Sequence, residues 1–75
     1  MIRVVHARVA GRVRLRVSLL KGHLLLAQRL TEYLRAQDGI RDVRAGTTTG
    51  SLLISYGPPL THVDQVVRLV QEGYQ

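Results

Sequence analysis

The side chains able to do chemistry in this 75-residue chain are three histidines, a comb of arginines, three serines and five carboxylates, with no cysteine. The missing thiols exclude disulfides and every thiolate metal site. His6, His23 and His62 match no zinc-ligand spacing. His23 and His62 fall at the starts of expected helices, where a solvated imidazole is the plainer reading. His6 lies in the extended run Val4-Val5-His6, where it could ligate a divalent metal, or haem iron, which needs only one axial histidine per chain. A hydrogen-bonded structural histidine is the plainer reading there. His6 and His23 are thus the candidate metal ligands. Ser18, Ser51 and Ser55 have no histidine–acid arrangement beside them, and Asp38, Asp42 and Asp64 occupy turn, strand and cap positions. No catalytic set emerges, and a non-enzymatic protein is expected.

The arginines carry the strongest surface signal. Ten of the eleven basic residues are arginine, and the formal net charge is +6. That balance favours acidic partners: nucleic acid, anionic lipid or an acidic protein face. Arg12, Arg14 and Arg16 alternate with Val13, Leu15 and Val17, the period of a half-buried strand with arginine outward. With Arg44 they form a candidate face for an anion or an acidic partner. Charge that keeps a sheet soluble is the plainer reading. The face lacks the aromatic side chains on which RNA-binding sheets stack bases, and phosphate contacts alone give salt-sensitive, non-specific binding. Nucleic acid is therefore not expected.

The elements that position these residues follow from the change of period along the chain. Residues 2–9 and 11–18 read as strand, and the weak turn signal of Ala10-Gly11 favours one long bent strand over a hairpin. Residues 18–22 form a loop. Over His23–Gln37 the period becomes helical, with Leu26, Leu30, Tyr33 and Leu34 as the apolar stripe, and Gly39 supplies a left-handed stop after Asp38. A hairpin follows: residues 40–45 with Val43 and Ala45 inward, a turn over Thr47–Gly50, and residues 51–56 with Leu52, Ile54 and Tyr56 inward. Gly57-Pro58-Pro59 ends it. Thr61 is the expected N-cap of a second helix, with Asp64 in its first turn. Val63, Val66, Val67 and Val70 form its stripe, and Gly73 lies near its end. The order β-α-β-β-α is a ferredoxin-like split βαβ pattern in an α+β fold. Helices cover one face of an antiparallel sheet whose fourth strand is short or missing. Residues 2–9 could fill that slot, extend the first strand, or exchange between two chains.

Seventy-five residues make one domain, 1–75, with a marginal aliphatic core, so oligomerisation is a live source of support. No run approaches 18 apolar residues, so no membrane span is expected. The amino-terminal stretch lacks a signal-peptide h-region. A cytoplasmic protein is the default.

The segments Val4-Val5-His6-Ala7 and Gly11–Val17, the run Gly39-Ile40-Arg41-Asp42-Val43-Arg44-Ala45, and Thr49-Gly50-Ser51-Leu52-Leu53-Ile54 with Tyr56 resemble the heavy-metal-associated, copper-chaperone-like domains. The resemblance is closest to the cysteine-less branch found alone or with P-type metal-transporting ATPases, and it spans nearly the whole chain. Metal-carrying members place two cysteines in a loop after the first strand, and two such thiolates bind soft copper(I). Here Leu20 and His23 roughly occupy those positions, which removes the usual chemistry. The resemblance then implies a domain that docks to a transporter or to a related domain, including its own copy. The leucines around the loop, Leu19, Leu20, Leu24 and Leu25, exceed what one helical stripe can bury, and exposed apolar side chains suggest an interface. Leu19, Leu20, Lys21 and His23 are the candidate docking loop. Three readings stand: a docking or regulatory module linked to metal handling, a histidine-based metal or haem binder, and a basic nucleic-acid module.

Overall fold

The alternation over residues 12–17 is realised in the computed structural model, which describes residues 2–7 and 10–74 without the side chain of His6. Strand β1 spans Ile2–His6 and β2 spans Arg12–Val17. A 3₁₀ turn at Ser18–Leu20 leads to helix α1, Leu24–Arg35. Strands β3, Ile40–Gly46, and β4, Ser51–Tyr56, form the hairpin, and helix α2 covers Val63–Gly73. The described strands form one antiparallel sheet in the order β1-β2-β4-β3.

Val13, Leu15 and Val17 from β2, Val43 from β3, and Leu52 and Ile54 from β4 face the helices and are buried. Ala27, Leu30 and Leu34 of α1 and Val66 and Val70 of α2 meet them. Among the described residues the twelve of the buried core are all aliphatic, and Tyr33, Tyr56 and Tyr74 pack against the margin of that core. Fully burying each large side chain contributes about 1.5–3 kcal/mol. The other sheet face stays open, as the arginines on alternate positions of β2 require.

The long bent strand is corrected. β1 and β2 lie side by side in antiparallel register, Ile2 opposite Val17 and Val4 opposite Leu15. The chain therefore reverses between Ala7 and Arg12. Gly11 ends the reversal with φ +78°, a left-handed value that a Cβ would disfavour, and its carbonyl accepts the Tyr56 N–H at 2.8 Å. That pairing stops the run at a corner and lets β1 take the slot for a fourth strand. The irregularity falls at Val5, an extra residue between Val4 and His6 in the register, and not at Ala10-Gly11. The expectation of strand over residues 8 and 9 lies outside the described residues.

Three smaller differences have local causes. Ala45 shares the helix-facing side with Val43 but is exposed, because it lies in an open groove between β3 and α1 with Leu24 and Thr47. The second helix is capped by His62 and not Thr61. The Gln65 side-chain oxygen accepts the N–H groups of Thr61 at 2.7 Å and His62 at 3.0 Å, which fixes the start one residue later. The first helix ends at Arg35, short of Gln37, whose N–H instead bonds the Leu34 carbonyl at 2.9 Å. Gly39 has φ +89°, the left-handed stop expected of it.

Candidate functional site

Two surfaces carry the candidate residues. The first is the loop between β2 and α1. Its backbone is tied down: Lys21 N–H donates to the Ser18 carbonyl at 3.2 Å, Gly22 N–H to Thr47 at 2.9 Å and His23 N–H to Leu20 at 3.0 Å. This 3₁₀ geometry turns Leu20 beneath the loop, where it is 0% exposed. Leu20 is therefore corrected from docking residue to core residue, since a side chain without water contact cannot meet a partner. Leu19, Lys21 and His23 remain exposed. Leu24 and Leu25 at the start of α1 join them, and Leu19, Leu24 and Leu25 expose 47%, 63% and 62% of their surface. The excess of leucine around this loop was readable from sequence. Which leucine turned inward was not, because a 3₁₀ turn follows neither strand nor helix period.

The second surface is the open sheet face. Arg12, Arg14 and Arg16 are exposed along β2. Cross-strand register sets Arg14 and Arg44 on either side of Leu53, and Arg12 and Asp42 on either side of Ser55. Directly opposed residues share a face. Arg3 of β1 stands opposite Arg16, so it belongs to the same face. Sequence reasoning missed Arg3 because it ran β1 into β2 as one strand. Asp42 is held by Arg44 Nε at 3.4 Å and Arg35 Nη2 at 3.8 Å, and Arg35 Nη2 also donates to the Val43 carbonyl at 3.1 Å. These ion pairs are exposed and contribute about 0–1 kcal/mol each. Arg35 thereby blocks one backbone acceptor on the outer edge of β3.

Of the two metal candidates, His23 is exposed at the N-cap of α1. The His6 assignment falls on a side chain outside the described part of the structure. Among the described residues, no three His, Asp or Glu side chains converge as a metal cluster. Nor is any described helix long and apolar enough to cross a membrane.

An α+β sandwich of two helices on one face of a four-stranded antiparallel sheet, with a loop leading into the first helix, is the frame of a ferredoxin-like metal-associated domain. The family model for heavy metal associated domain 2 matches residues 1–69, and the chain belongs to that family. Neither the curated proteins nor the solved structures contain a match to the chain. The two-thiolate metal site of cysteine-bearing relatives does not fit these residues. The sequence has no cysteine, and of the two residues that the resemblance sets roughly at the ligand positions, Leu20 is buried and His23 is an exposed imidazole.

Proposed function

We propose that residues 1–75 act as one non-catalytic docking domain in metal handling. Its partner is the cytoplasmic part of a metal-transporting P-type ATPase, engaged through Leu19, Lys21, His23, Leu24 and Leu25. The observation that carries this reading is the exposure of three leucines around one tethered loop. In a chain of this size an apolar cluster left in water favours an interface. Family membership supports the metal-handling context, and the rigid loop supports docking without rearrangement. A cytoplasmic location and a role without catalysis belong to the same proposal.

The test is titration of the protein with the soluble domains of such an ATPase, beside sedimentation of the protein alone. A complex that is lost in Leu24→Glu/Leu25→Glu and kept in Arg29→Gln supports the reading. A homodimer lost in the same variant would keep the surface and replace the partner by a second copy. No complex and no dimer at about 100 μM, far weaker than most specific pairs, would overturn it.

The family description, heavy metal associated, favours one second reading, a metal bound through His6, with haem as the other group that a single histidine could hold. Desalting after exposure to divalent metals, copper(I) and haemin tests it. Stoichiometric retention, or a Soret band, lost in His6→Ala would establish that reading. An empty protein would remove it.

A further inference from the structure

We propose that the open sheet face is a second binding surface, separate from the loop, that takes an extended acidic peptide segment with an apolar residue among its carboxylates. This inference goes beyond the loop docking site and does not rest on it. The face gathers Arg3, Arg12, Arg14, Arg16 and Arg44 by strand register. Its only acid among the described residues is Asp42, already engaged by Arg35 and Arg44. Arg3, Arg12, Arg14 and Arg16 have no ion pair among the described residues. Between the guanidinium groups lies a shallow depression lined by Val5, Arg14, Arg16, Arg44, Ser51 and Leu53, with half-buried Leu53 as its apolar floor.

The spacing selects an extended ligand. Alternate residues of a strand recur at about 7 Å, so Arg12, Arg14 and Arg16 match carboxylates at alternate positions of another extended chain. Arginine grips a carboxylate through two parallel N–H donors, which lysine cannot do.

The other occupants fit less well. A second copy carries the same charge of +6, and its five acids, Glu32, Asp38, Asp42, Asp64 and Glu72, are dispersed. Two such faces repel. Nucleic acid would need stacking platforms, and all three tyrosines are committed to the margin of the core on or beyond the opposite side of the sheet. A bilayer would need protruding apolar anchors, but the most exposed leucines stand around the loop before α1.

The test is fluorescence anisotropy of a labelled twelve-residue peptide with Asp and Glu at alternate positions around a central Leu. Its Asn/Gln counterpart, a dT12 oligonucleotide and phosphatidylserine vesicles serve as competitors. The expected result is binding of the acidic peptide that weakens about tenfold in Arg14→Gln/Arg16→Gln, as loss of two charge-assisted contacts would give. Arg29→Gln/Arg68→Gln removes the same charge from the two helices and should leave affinity within about twofold, as screened distant charges do. Equal losses in both double variants would reduce the face to general electrostatics and overturn the proposal. So would absence of peptide binding, or stronger competition by the oligonucleotide or the vesicles than by unlabelled peptide.

Discussion

At Leu20 the whole side chain is withdrawn from water, whereas Leu25, on the first turn of α1, exposes 62% of its surface. Truncation to alanine should therefore separate the two. Leu20→Ala is expected to cost about 2–5 kcal/mol through lost burial and the cavity left behind. Leu25→Ala is expected to stay within about 0.5 kcal/mol of the parent. Urea midpoints at constant m-value measure both, and equal costs would contradict the placement of Leu20. The same contrast governs any test of docking: a charge at position 20 unfolds the protein, whereas a charge at position 25 tests the interface. Of the candidate residues, the arginine comb was legible at this scale because strict alternation assigns each side chain to a face. Leu20 was not, because its orientation depends on one turn of 3₁₀ backbone that leaves no periodic trace.

Each element is set by what ends it. The β1–β2 reversal ends at Gly11, where a Cβ would add the left-handed penalty and stand 2.9 Å from the Tyr56 carbonyl oxygen. Gly11→Ala is expected to destabilise the protein by at least about 1–2 kcal/mol. Hydrogen exchange should show the loss first at the amides of β1 and β2. At the other end of the chain, Gln65 accepts two backbone N–H groups ahead of α2. Gln65→Ala is expected to cost about 0.5–2 kcal/mol, read as a lower thermal midpoint with fraying of α2. A Gln65→Glu variant keeps the acceptor and should recover most of that loss. The helices and the β3–β4 hairpin were legible because period and punctuation agree there. The β1–β2 hairpin was not, because Ala10-Gly11 lacks the Asn-Gly type of signal and the partner of Gly11 is Tyr56, remote in sequence.

For the molecule as a whole, the sheet order β1-β2-β4-β3 makes β1 the strand that covers the outer edge of β2. Deleting residues 1–7 should bare a strand whose core face is fully apolar. The expected outcome is loss of the monomer to higher oligomers in sedimentation, with a thermal midpoint lower by at least several degrees, since in a domain of this size about 1 kcal/mol moves it by 4–8 °C. A monodisperse, equally stable truncation would show that β1 is dispensable. Sequence pattern defined the α+β layering, since two amphipathic helices and alternating strands admit few arrangements. It left the edge slot undecided because strand pairing is a choice between partners, which no single strand encodes. The position of β1 also sets how the chain finds its fold. A closing strand at the far end of the sequence would have to return across the whole domain, whereas here the pairing of β1 to β2 is made within residues 2–17. The contact order of the sheet falls accordingly. Folding can begin from a local hairpin, and the outer edge of β2 is covered as soon as that hairpin closes.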